Sequence, residues 1–89
     1  MKRVICAVFD LAISTFGQPL FVAGIGGALR SFQDEVNRPS DRDDNPLNRH
    51  PADFELWYLG EFDDTSGEFT LLEGERRRIA RAVDIKEIK

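Results

Sequence analysis

A β-hairpin is legible in residues 53–72, and it constrains the fold more than any other stretch of the chain. Phe54, Leu56 and Tyr58 alternate with Asp53, Glu55, Trp57 and Leu59, a period of two that sends successive side chains to opposite faces of a strand. Glu68-Phe69-Thr70-Leu71-Leu72 is a second run of residue types that suit a pleated surface. Between them lies Asp63-Asp64-Thr65-Ser66-Gly67. Aspartate and serine bond their own backbone in turns and glycine accepts positive φ, so this segment predicts a hairpin loop of about four or five residues.

The residues before the hairpin supply its neighbours. Val4-Ile5-Cys6-Ala7-Val8-Phe9 is a continuous apolar run with β-branched members, the pattern of a strand buried on both faces and therefore central in the sheet. Residues 10–18 loosen into a loop. Pro19-Leu20-Phe21-Val22-Ala23 predicts a short strand that proline restricts to an edge or a strand start. Ile25, Ala28, Leu29, Phe32 and Val36 recur at spacings of three and four, the stripe of an amphipathic helix over 25–37. Pro39 ends it at Arg38, because the residue before proline is driven out of the helical region. Residues 38–51 are almost wholly polar with three prolines, a long functional or mobile connection.

Size and charge bound the function. A chain of 89 residues makes one domain, near the size at which folding buries only about 60% of the unfolded surface. Such a domain gains from a homodimer, and the edge strand at 20–23 offers the surface for one. A single Cys and a single His exclude a disulfide framework and a Cys/His zinc site, which needs four ligands. No apolar run approaches the roughly 20 residues of a membrane span, and no signal-peptide pattern opens the chain. The net charge of −4 is unevenly placed: residues 53–73 carry seven acids and no base, whereas residues 74–89 carry six bases and three acids. Any phosphate contact is therefore expected on Arg76, Arg77, Arg78 and Arg81, in a basic C-terminal helix or tail spanning 74–89 beyond a 1–73 domain, although the plainer reading of this run is a solvated helix face whose arginines pair with Glu73, Glu75 and acids of a neighbour. Helix-forming residues favour a helix over 75–82, with docking of an extended tail as the alternative.

The remaining constellations fail as catalytic or cofactor sites. Gly24-Ile25-Gly26-Gly27 precedes the helix, but Leu29 stands where a dinucleotide fingerprint needs glycine, and no P-loop lysine follows. Cys6 lies in the most apolar run, where a thiol is inert, so pairing it with His50 gives no nucleophile. Glu61, Asp63, Asp64 and Glu68 do not follow the calcium-loop spacing. No catalytic residue, metal or cofactor is expected. Trp57 and Tyr58 point to opposite faces of one strand, so at most one belongs to the core; an exposed one could stack a nucleobase, but an interface or the rim of the core fits better.

Three segments carry a resemblance: Ala28-Leu29-Arg30-Ser31-Phe32 followed by Val36-Asn37, then His50-Pro51-Ala52-Asp53-Phe54-Glu55-Leu56, and above all Leu59-Gly60-Glu61-Phe62-Asp63-Asp64-Thr65-Ser66-Gly67-Glu68-Phe69. Over roughly residues 3–73 the chain resembles the small nonstructural protein, counted as the fifth reading frame, of gokushovirus-type microviruses, phages with circular single-stranded DNA. The junction 24–27 and the segment after residue 73 depart from that pattern. The resemblance implies a non-capsid factor in the cytoplasm of a bacterial host that assists genome replication or packaging, and it supplies no catalytic residues.

Together these readings predict an α+β domain: a small antiparallel sheet of three or four strands with one amphipathic helix packed on a face. A five-stranded barrel is the alternative, against which the helix at 25–37 counts. The expected function is non-enzymatic, with weak contact to single-stranded DNA or to the phage replication machinery through Arg76, Arg77, Arg78 and Arg81. The alternative is a protein-interaction module that binds a host or phage protein through its acidic hairpin, using Trp57, Glu61, Asp63 and Asp64.

Overall fold

The computed structural model describes residues 1–39, 44–72, 74 and 76–87. Part of the long connection, and residues 73, 75, 88 and 89 of the acidic and basic segments, lie outside the described residues. The elements in chain order are β1 (Lys2–Asp10), β2 (Thr15–Phe16), β3 (Leu20–Val22), α1 (Ile25–Asn37), α2 (Pro46–Arg49), a 3₁₀ turn (Pro51–Asp53), β4 (Phe54–Asp63), β5 (Phe69–Leu71), β6 (Arg77–Arg81) and α3 (Ala82–Ile85).

All strand pairs are antiparallel, and β1 and β4 form the middle of the sheet. The other side of β1 pairs with β2 through Phe9 and Asp10 and with β3 through residues 4–6. The other side of β4 pairs with β5 through residues 60–62 and with β6 through residues 55–58. Among the described residues six strands thus occupy four ranks, because each outer rank is broken into two pieces. The expected three or four strands are corrected to six. Gly17-Gln18-Pro19 interrupts one edge, where proline cannot donate to a ladder. The other edge is interrupted between Leu71 and Arg77.

The expected helix over 75–82 is also corrected. Arg77–Arg81 forms a strand, and helix is limited to the single turn Ala82–Ile85. Helix propensity is a weak force beside an unpaired strand edge: without β6, the backbone of β4 from Glu55 to Tyr58 would lack ladder partners on that side. A register shift in β6 between its partners Leu56 and Trp57 leaves Ile79 as the extra residue, and Ile79 packs against the core. Helix α1 is not the only helix, although it is the only one longer than four residues among the described residues.

The core lies between α1 and one face of the sheet. Ala28, Phe32 and Val36 of α1 meet Cys6 of β1, Phe54 and Leu56 of β4, and Ala82 of α3, with Val4, Val8, Val22, Leu47, Ile79 and Ile85 packed around them. The stripe read from the sequence is therefore the buried stripe. Three asparagines secure the C-terminal end of α1, where helix carbonyls lack partners of their own. Asn45, 1% exposed, donates to the carbonyls of Glu35 and Arg38 at 2.8 and 3.0 Å. Asn48 donates to the Val36 carbonyl at 3.0 Å, and Asn37 bridges to the Ile85 carbonyl at 3.0 Å. Residues 44–51 of the long connection are thus tied to the helix. No described helix is long and apolar enough to cross a membrane.

Candidate nucleic-acid interface

Pairing fixes which side chains share a face, since directly opposed residues of antiparallel strands point the same way. Val4, Cys6 and Val8 lie with Leu56 and Tyr58 on the helix-covered face. Ile5, Ala7 and Phe9 lie on the other face with Trp57, Glu55 and Phe62 of β4, Phe21 of β3 and Phe16 of β2. Phe69, opposite Phe62, and Arg78, opposite Trp57, complete that face at its outer ranks. The cluster packed against α1 draws its residues of β1 and β4 from the first face, and no helix among the described residues is packed on the second.

This open face carries six of the nine aromatic residues of the chain, in two groups. Phe9 and Phe16 lie 4.7 Å apart between ring centroids, and Phe16 meets Trp57 edge-on at 6.3 Å and 84°. Phe21, Phe62 and Phe69 form a second trio with centroid separations of 4.7 to 6.2 Å. Phe21 and Phe69 remain 44% and 59% exposed, beside Leu71 at 58%. Between the two groups in register, Ile5 and Ala7 are almost completely buried. A cavity of about 390 Å³ opens against Phe9, Phe16, Trp57, Gly74 and Arg76.

The four arginines read as one basic arm are divided by the strand they form. Arg77 points to the helix-covered side, where its guanidinium lies 5.4 Å from the centre of the Tyr58 ring. Arg78 donates to Glu55 at 3.1 Å. Glu55, buried on the open face, also accepts from the Trp57 indole N–H at 3.1 Å, so one carboxylate holds a cation and a ring. Arg76 is exposed at the cavity and Arg81 is half-buried opposite Glu55. Neither has an ion pair among the described residues.

The acidic residues proposed for partner binding are not gathered either. Trp57 is on the open face, whereas Glu61 is on the helix side, accepting from the Tyr58 hydroxyl at 3.2 Å and lying 3.9 Å from Lys2. Burial first, and then the charge of Glu61, push the Tyr58 hydroxyl above its ordinary pKa. Asp64 accepts from the Met1 amino group at 2.8 Å and from Arg3 at 3.1 Å, and these two contacts, in that order, hold its carboxyl below the usual aspartate value. Asp63 is held low chiefly by the Thr65 backbone N–H, which donates to it at 2.9 Å. These bonds are those of a turn whose φ of 78° at Gly67 requires glycine. Cys6 is fully buried, with its thiol pKa raised by burial, while His50 is exposed. No group of residues able to hold a metal occurs among the described residues.

Residues 3–85 match the family model described as Phage ORF5 protein. The chain belongs to that family. The match to the ORF5 family runs past the hairpin through β6 and α3. No curated protein and no solved structure matches the chain.

Sequence reasoning assigned Trp57 to an interface but missed its ring neighbours. By sequence alone Phe9 belongs to a buried strand, Phe16 to a loop and Phe21 to an edge strand. The signal that was present is parity: Ile5, Ala7 and Phe9 alternate with the residues that face the helix. What was absent is any local mark that residues 15–16 pair with the end of β1.

Proposed function

We propose that this ORF5 family protein is a non-enzymatic accessory factor of a gokushovirus-type microvirus, and that in the host cytoplasm it contacts single-stranded DNA through its open sheet face to assist genome replication or packaging. The observation that carries this reading is the Phe9–Phe16–Trp57 group of the open face, bordered by Arg76 and Arg81. Rings on a sheet stack bases of any sequence, and adjacent cations follow the backbone phosphates.

The rival reading, a protein-interaction module working through the acidic hairpin, has less support, because Asp64, Glu61 and Glu55 already have partners within the chain. A homodimer remains compatible with the exposed edge at Leu20 and Phe21, and light scattering at tens of micromolar tests it.

The test of DNA binding is a salt series with a labelled single-stranded oligonucleotide. With Arg77 on the far side and Arg78 engaged by Glu55, two contacts are expected, giving a log-log slope of about −1.4 at about −0.7 per contact. A slope near −3 would mean that all four arginines reach phosphate. A protein with no salt-dependent binding at low ionic strength does not act by this route.

A further inference from the structure

The two aromatic groups of the open face differ in what surrounds them. The Phe21–Phe62–Phe69 trio adjoins the turn that carries Asp63, Asp64 and Glu68, and a phosphate there would face like charge. The Phe9–Phe16–Trp57 group borders a concavity whose cation, Arg76, has no ion pair among the described residues. The volume of about 390 Å³ lies in the range of sites that bury a small ligand.

The rings are also disposed to accept a planar partner. Phe16 meets Trp57 at 84° and Phe9 at 58°, so these rings do not stack face to face and cover one another. The indole of Trp57 is held by its N–H bond to Glu55, and Glu55 by Arg78, so the wall is oriented before any ligand arrives.

We propose that this concavity is a subsite for one nucleotide of single-stranded DNA, with the base against Phe16 and Trp57 and the phosphate on the Arg76 guanidinium. The inference rests on the DNA-binding reading and sharpens it, since it assigns the two ends of one face to different uses. It also makes the Phe69 end dispensable for DNA.

Trp57 is the only tryptophan of the chain, so its emission reports this cavity alone. The full chain is titrated with a fluorescein-labelled oligothymidylate of about ten nucleotides, within the span of known single-strand sites, following both label anisotropy and Trp57 emission. The parent protein is expected to show saturable quenching that tracks the anisotropy. Phe16→Ala and Arg76→Ala should each weaken binding about tenfold, whereas Phe69→Ala should change it less than about twofold. Arg76 is exposed, so its variant decides the matter even if loss of Phe16 disturbs the fold. Binding by anisotropy with unchanged Trp57 emission, or an Arg76→Ala variant of parental affinity, overturns the subsite and leaves the DNA reading standing. A loss on Phe69→Ala that exceeds those two moves the DNA to the other trio. Absence of binding by either signal in the parent removes both.

Discussion

Compare the two faces of the sheet. On the covered face β1 and β4 present Val4, Cys6, Val8, Phe54 and Leu56, and Ala28, Phe32 and Val36 of α1 close the layer from across it. On the open face the sheet supplies its own bulk: rings at Phe9, Phe16, Trp57, Phe21, Phe62 and Phe69 lie against one another, and Ile5 and Ala7 are buried at 4% and 1% without a helix above them. A face that will meet a second layer needs shapes that interdigitate. An uncovered face must instead draw its apolar contacts sideways, which leaves ring faces and edges toward solvent and available to a partner.

That contrast predicts unequal costs for removing a phenylalanine. Phe32 is 4% exposed at the centre of the layered core. Phe32→Ala should destabilise the fold by about 3–5 kcal/mol through lost transfer energy and the cavity left behind. The urea midpoint measures it, and a midpoint equal to the parent's would mean that α1 does not pack on β1 and β4 as described.

Gly60 tests the junction at which β4 passes from β6 to β5. A Cβ there would run into the Thr70 carbonyl oxygen and come within 3.0 Å of the Leu71 Cα, both backbone atoms that cannot rotate away. Gly60→Ala should therefore cost about 1–3 kcal/mol by overpacking and separate β5 from β4. Hydrogen exchange of the Leu72 amide, which donates to the Leu59 carbonyl at 2.9 Å, should accelerate. Unchanged protection there would show that the ladder absorbs the extra atom.

Phe69, 59% exposed, is the counterpart of Phe32 on the open face. Phe69→Ala should cost less than about 1 kcal/mol, because most of its ring is never removed from water. A cost approaching that of Phe32→Ala would mean that something covers the open face in solution, and a second copy of the chain would be the first candidate to weigh by light scattering.

How far the sequence carried this comparison depends on range. The helix over 25–37, the strand at 4–9, the short strand near Leu20 and the hairpin were legible because period, proline and turn chemistry act within a few residues. Strands β2 and β6 were not. Two residues such as Thr15 and Phe16 show no period, and Arg77–Arg81 carries helix-forming arginines that only the waiting edge of β4 turns into a strand. The open face was illegible for the same reason: its rings come from β1, β2, β3, β4 and β5, and register between distant strands has no local signature. The basic arm was legible as charge. Its division into one arginine over Tyr58, one on Glu55 and two without ion pairs among the described residues required the strand.

The smallest expected effect lies at the acidic turn and asks whether that end of the molecule is self-contained. Asp64 accepts from the Met1 amino group and from Arg3, and both contacts hold its carboxyl below the ordinary aspartate value of about 3.9. The sign follows by linkage: a carboxyl with a lowered folded-state pKa contributes stability above its unfolded value, and that contribution is lost as pH falls through the folded one. The Met1 amino group has the opposite shift, raised first by its bond to Asp64, so its contribution is present below its ordinary value and fades as pH rises through the folded one. Both groups are exposed and solvent screening keeps the effect slight. Asp64→Asn should lower the urea midpoint a little near neutral pH and not at all in acid, where the parent has already lost the same interaction. Equal midpoints for parent and variant at neutral pH would mean that these charges contribute nothing to the fold and are free to meet a partner, and the acidic hairpin would regain its standing as a binding surface.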